Sequence, residues 1–239
     1  MKEYVIYLDT SLKGACVALY SSDSTSQVCI AQHSYFSNNI AAGHLTSLID
    51  RLLSSHDLTL RAINSLVVNI GPGSFTGIKV GISFAQGLQL AIPSLRLIGV
   101  SGLKALAEST ENSLWFMKAT KNQGYAFAVA KGFGSDILPI DCSNQILKFG
   151  RVDRSQWSPF EYDSKIESYN VIGDWNELKV SLSDPRISLK TYSYPIASAS
   201  LSESSMDSYR EIQTKTHSEG LAPVYVRMSA PEELAAGKR

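Results

Sequence analysis

Three groups of residues have the types and spacing to do chemistry. The densest is Gly71-Pro-Gly-Ser-Phe-Thr-Gly77, which follows a short apolar run, Leu66 to Ile70, and opens into a longer one, Ile78 to Leu90. A glycine turn at a helix start presents unpaired amides at the positive end of the helix dipole, which is the chemistry of phosphate binding. The spacing departs from both common phosphate loops. A Walker A loop has Lys directly after its last glycine, whereas Ile78 separates Gly77 from Lys79. The dinucleotide fingerprint is Gly-x-Gly-x-x-Gly, and glycines 71, 73 and 77 carry one residue more than that. Two uses stay open. One is phosphate or nucleotide contact through Gly71, Gly73 and Ser74. The other is close packing, because Gly73, Gly77, Gly81 and Ala85 recur every four residues and flatten one helix face. The spacing favours packing or an interface, and a bulky residue at Gly77 or Gly81 is expected to abolish partner binding while sparing the fold.

The second group is Asp9-Thr10-Ser11, at the end of the first apolar run. A carboxylate there can coordinate magnesium or orient water, with Thr10 beside it for a phosphate, or it can bond to its own turn backbone. The third group is the histidines. His33, His44, His56 and His217 include no His-x-x-x-His pair, so no metal site is expected. Ser74 adjoins Gly73 directly, which is not the Gly-x-Ser-x-Gly nucleophile elbow, and no catalytic residue is assigned.

Whole-chain composition narrows the classes. With 22 Lys+Arg against 22 Asp+Glu the formal charge is zero, which argues against a dedicated nucleic-acid binder. Three cysteines, Cys16, Cys29 and Cys142, form no Cys-x-x-Cys pair and read as small core residues in a reducing compartment. At 44% hydrophobic over 239 residues the chain can bury a sizeable core without metal or disulfides. No stretch reaches the roughly 18 apolar residues of a spanning helix, and residues 1–6 carry no apolar signal region, so a cytoplasmic chain with no membrane partner is expected.

The elements that must position these residues follow from periodicity. Tyr4 to Leu8, Ala15 to Tyr20 and Val28 to Tyr35 are β-branched or aromatic and are separated by polar turns, which predicts an antiparallel meander. Leu45, Leu48, Ile49, Leu52 and Leu53 recur at helical spacing and predict a helix over 43–55. A strand at 66–70, a helix over 74–91 that is apolar nearly all round, a strand at 97–100 and a helix capped by Ser101 follow. Beyond Asn112 the pattern restarts, with strands at 114–118 and 125–130, a strand end at 171–173, another strand within 178–194 and a polar helix over 198–210. Residues 141–170 give no clear element. The plan is α/β, two similar lobes with a boundary near residues 100 to 112.

At Gly71 to Gly81 with Ala85-Gln-Gly-Leu88, at Leu8-Asp-Thr-Ser11, His44, Ile98-Gly-Val-Ser101, Gly124-Tyr125 and Pro223-Val-Tyr-Val-Arg227, the sequence resembles the bacterial TsaB family. Members of that family are the non-catalytic partner subunit in N6-threonylcarbamoyladenosine modification of tRNA at position 37. The resemblance implies an actin/Hsp70/sugar-kinase-like fold of two ribonuclease-H-like lobes, residues 1–104 and 105–239, with the tail packing back on the first. It implies partners: a catalytic threonylcarbamoyltransferase paralogue and an ATPase subunit, a homodimer when alone, and tRNA only indirectly. The partner interface is expected at His44, Ser47, Gly73, Gly77, Lys79, Gly81, Ile82 and Ala85, on the first two helices. No cofactor is expected to bind tightly, with ATP or ADP left for a complex interface. The family's Asp-Ala-Arg-like triplet at the second hairpin is replaced here by Ala119-Thr120-Lys121. The rival reading is a small-molecule kinase or nucleotide hydrolase using Asp9 and the glycine turn.

Overall fold

Alternating and β-branched segments at the start of the chain pair into a sheet, while the 3.6-period segments lie on it. The structure, a computed structural model, describes residues 2–12, 14–22, 27–35, 42–103, 113–118, 123–130, 133–134, 138–141, 146–149, 168–172, 179–182, 188–192 and 221. The chain divides into two compact units, Met1–Ala105 with Tyr194–Tyr225, and Leu106–Ser193 with Val226–Arg239.

The first unit contains β1 (Glu3–Asp9), β2 (Ala15–Ser22), β3 (Gln27–Tyr35), α1 (Ala42–Ser54), β4 (Ser65–Asn69), α2 (Phe75–Ala91) and β5 (Arg96–Val100). Its sheet has the order β3-β2-β1-β4-β5. The meander β1-β2-β3 is antiparallel, whereas β4 runs parallel to β1 and β5 parallel to β4. Parallel neighbours need a crossover, and α2 supplies it between β4 and β5.

Strand alternation divides the apolar residues between two sheet faces. Ile6, Leu8, Val17, Leu19, Leu66 and Val68 form one core with Leu45, Ile49, Leu52 and Leu53 of α1 and Ile78, Ile82 and Ala85 of α2, and Leu221 packs against it. Val5, Tyr7, Cys16, Ala18, Tyr20, Val67, Ile98 and Val100 form the core of the opposite face. Each large side chain buried this way contributes about 1.5–3 kcal/mol of hydrophobic free energy. Beginning α2 is the task of Ser74, whose Oγ accepts a hydrogen bond from the Gly77 amide at 3.2 Å. The helix ends one residue before Ile92-Pro93, where proline forbids continuation.

The second unit contains β6 (Ser113–Lys118), β7 (Gln123–Ala130), β8 (Phe133–Gly134), β9 (Leu138–Asp141), β10 (Ile146–Phe149), β11 (Ser168–Ile172), β12 (Lys179–Leu182) and β13 (Ser188–Tyr192). Its larger sheet has the order β13-β11-β6-β7-β8, with β9 also paired to β7. Pairing is antiparallel from β6 to β7 and on to β8 and β9, and parallel from β6 to β11 to β13, so the first unit's plan is repeated. Strands β10 and β12 form a separate parallel pair. The segment 141–170, which gives no clear element in the sequence, therefore holds β10 and the start of β11. The helix expected at 198–210 and the Ala119-Thr120-Lys121 turn lie outside the described residues, and after Ser101 only residues 102 and 103 are described, both helical.

Candidate functional site

Asp9 is the last residue of β1 and Asn69 the last of β4, side by side on the face that also carries Tyr7 and Cys16. Asp9 is only 3% exposed, so its carboxylate must find partners within the protein. Its Oδ1 accepts from the Ser11 amide at 2.8 Å, and its Oδ2 accepts from Asn69 Nδ2 at 2.9 Å and from the Tyr7 hydroxyl at 3.3 Å. Asn69 Nδ2 also donates to Ser11 Oγ at 3.0 Å, while Asn69 Oδ1 accepts from the amides of Gly71 at 2.9 Å and Gly102 at 3.0 Å. Both donors and both lone pairs of this amide are thus used.

The glycine turn is bound to the same hairpin tip. Gly71 has φ of +119°, a value that side chains disfavour, and the Gly71-Pro72 peptide is cis. The Ser74 amide donates to the Ser11 carbonyl at 2.6 Å, and Thr10 Oγ1 donates to the Gly77 carbonyl at 2.7 Å. A Cβ on Gly73 would overlap Ser11, one on Gly77 the Thr10 carbonyl, one on Gly81 Thr10 Oγ1, and one on Gly102 the Asn69 amide. Ser11 and Thr10 therefore lie where α2 has no side chains.

This placement corrects the use expected for the small-residue stripe. Gly73, Gly77 and Gly81 face the hairpin tip of their own chain, and Ile82 and Ala85 lie in its core. A bulky residue at Gly77 or Gly81 consequently strikes the fold itself, contrary to the expectation that the fold would be spared. His44, Ser47 and Lys79 are exposed. The His44 ring stacks on Tyr35 with centroids 3.9 Å apart, and Ser47 Oγ donates to the His44 carbonyl at 2.9 Å.

Sequence reasoning missed Asn69, Gly102 and the exposed apolar residues of α2. Phe75 is 42% exposed and Leu90 84% exposed, and Lys79 Nζ lies 4.0 Å from the Phe75 ring centre. The signal for Phe75 and Leu90 was present, since a helix apolar nearly all round cannot bury every side when one face lies on a sheet. Asn69 gave no local signal because its partners are up to 60 residues away.

Asp9 spends both carboxylate oxygens on the chain, and the hairpin tip is covered by the start of α2. Among the described residues no group of three His, Cys, Asp or Glu is placed to hold a metal ion. Burial pushes the Cys29 thiol above its ordinary value, against hydrogen bonds with Tyr20 and Ala31 that lower it, so it is a weak nucleophile. Partial burial lowers His33 below its ordinary value, and Arg51 and His56 add to this by repelling a positive charge.

A five-stranded order 3-2-1-4-5 with an antiparallel meander, a helical crossover and a second copy of the sheet defines the actin/Hsp70-like class. The whole-chain likenesses agree. A Pseudomonas aeruginosa crystal structure described as an uncharacterized protein with similarity to peptidase YEAZ superposes with TM-score 0.58 at 20% identity, covering 94% of this chain and 100% of that one. YeaZ from the same organism gives 0.57 at 18% identity, covering 93% and 99%. These likenesses concern the fold. The chain belongs to the family described as TsaD, tRNA N6-adenosine threonylcarbamoyltransferase, whose model matches residues 41–224. Within it the resemblance to TsaB holds. The tRNA threonylcarbamoyladenosine biosynthesis protein TsaB of Escherichia coli is 31% identical over 107 residues, 44% of this chain and 42% of that protein. TsaB of Haemophilus influenzae is 31% identical over 134 residues, 53% and 54% respectively. The chain spans about half the length of the curated relatives it matches. Among the described residues no helix is long and apolar enough to cross a membrane.

Proposed function

We propose that this chain is a cytoplasmic, non-catalytic subunit in the formation of N6-threonylcarbamoyladenosine at position 37 of tRNA, and that it holds a catalytic threonylcarbamoyltransferase paralogue. An ATPase subunit completes the complex, tRNA is met through the paralogue, and the chain pairs with itself when alone. The observation that carries this reading is the outer face of α2, which leaves Phe75 partly exposed beside Lys79 at its start and Leu90 exposed near its end. Singly exposed apolar side chains are ordinary on a surface, and these two support a partner contact through the family match over residues 41–224. The outer α2 face, with His44 and Ser47 of α1, replaces the glycine stripe as the proposed contact. A kinase or hydrolase reading has no such support, because Asp9 is committed to Ser11, Asn69 and Tyr7.

Light scattering on a sizing column, with the chain alone and then mixed with the paralogue, tests the reading. A stoichiometric heteromer that gains tRNA-modifying activity is expected. Phe75→Ser with Leu90→Lys should weaken that heteromer by roughly tenfold or more, the loss typical of an aromatic anchor, without lowering the melting temperature. A chain that ignores the paralogue overturns the reading.

A further inference from the structure

We propose that Asn69 is the positioning residue for α2: it joins the hairpin tip, the glycine turn and the start of the next helix, and so sets where the outer face of α2 stands. Its amide bridges three segments far apart in sequence, through Asp9 and Ser11, through Gly71, and through Gly102. Ser74, the cap of α2, is tied in turn to the Ser11 carbonyl. Moving Asn69 therefore moves both ends of the turn that launches the helix. No other side chain can substitute simply, because the site asks for two donors toward a carboxylate and a hydroxyl and two acceptor positions toward amides. The lack of a Cβ at Gly102 lets that amide reach Asn69. The effect on partner binding rests on the reading of the outer α2 face given above; the positioning of α2 does not.

The pair Asn69 and Asp9 gives the test a chemical signature. In Asn69→Asp a carboxylate oxygen replaces Nδ2 and faces the Asp9 oxygen that lay 2.9 Å from it. Two carboxylates that close repel at pH 8; at pH 5 one shared proton supplies the donor between them, and the Ser11 hydroxyl, which accepted from Nδ2, can turn to donate to the new carboxyl oxygen. The described titratable groups around the pair are few. On β1 Tyr7 donates to Asp9, on β2 Cys16 lies opposite Asp9 in the ladder, and α2 brings only Lys79, exposed over Phe75. The turn 71–74 and residues 101–103 bring none.

Amide hydrogen exchange read by mass spectrometry, corrected for the intrinsic pH dependence, decides the matter. In Asn69→Asp at pH 8, peptides covering 71–82 should exchange about tenfold faster or more, while α1 peptides keep their protection. At pH 5 that protection should return, whereas Asn69→Ala should stay fast at both values. Ser11→Ala, which removes one partner of the amide and no bulk, should give a smaller increase in the same peptides. Unchanged exchange in Asn69→Asp at both pH values, or an increase shared equally by α1, or identical pH profiles for the Asp and Ala variants, would overturn the proposal. Titrating each variant with the paralogue is a separate readout. Wild type failing to bind would remove the proposed function, and the exchange result would still stand.

Discussion

The two sheets share strand order and directions yet differ at one end. In the first, β1 ends on Asp9, which pairs with Cys16, the second residue of β2; in the second, β6 ends on Lys118, which pairs with Gly124, the second residue of β7. The residue after Val68 is Asn69, and the residue after Ile172, its counterpart in the ladder, is Gly173. The carboxylate and amide pair thus has no equivalent in the second sheet. Among the described residues the connections differ as well: 70–95 hold the glycine turn and α2, and of the chain between β11 and β13 the short strand β12 is described. The comparison teaches that the sheet plan and the polar knot are separate features. Apolar alternation suffices for the first, while the second needs particular residues at the strand ends.

The severest way to break the difference is to fill the space that α2 leaves for the hairpin tip. Gly77→Val places side-chain atoms on the Thr10 carbonyl, a backbone group that cannot turn aside. Overpacking of this kind costs about 3 kcal/mol or more, and urea unfolding should show the first unit lost well before the second. A two-state curve coincident with wild type would show that the tip is free to move.

Next comes the carboxylate. Asp9→Ala removes the acceptor used by the Ser11 amide, Asn69 Nδ2 and the Tyr7 hydroxyl, and should cost about 2–3 kcal/mol. Ser113→Ala is the matching change in the second sheet, since Ser113 Oγ accepts from buried Trp115 Nε1 at 2.9 Å. That bond is neutral, and about 1 kcal/mol is expected for its loss. Equal losses in chemical denaturation would erase the distinction between the two sheets.

What the sequence disclosed follows the same division. The meander, α1, β4, α2 and β5 could be read because each declares itself over 5 to 17 consecutive residues, by alternation, by 3.6-residue spacing or by a cap such as Ser74. The repeat of the plan after Asn112 was visible from β6 and β7 alone. Strands β9 and β10 were not, being four residues each and bounded by polar segments. The glycine stripe announces close approach, and close packing is what it makes, but a flat helix face does not say to what, and Thr10 lies 67 residues from Gly77. Asn69 was invisible for the same reason.

One glycine of α2 should behave oppositely to its neighbours. Gly87 is exposed and a Cβ on it meets nothing within 4 Å. Gly87→Ala removes backbone freedom from the unfolded chain at no steric cost, so it should stabilise the first unit by about 1 kcal/mol, a rise of a few degrees in melting temperature. A loss instead would mean that this face of α2 is already covered, as in a self-paired chain.

The smallest effect separates the units by pH. All four histidines, at 33, 44, 56 and 217, fall in the first unit, and the second has none. His33 is held below its ordinary value by burial first and then by Arg51 and His56, so near pH 6 the unfolded chain binds more protons there than the folded one. Stability from this group is therefore fully present above about pH 6.5, the ordinary value, and is lost as the pH falls through the lower folded value. Thermal unfolding at pH 7.5 and 5.5, followed by exchange in β3 and β7 peptides, should show the first unit weakening on acidification, and His33→Gln should remove part of that slope. A slope that survives intact in His33→Gln would assign the acid sensitivity of the first unit to other groups.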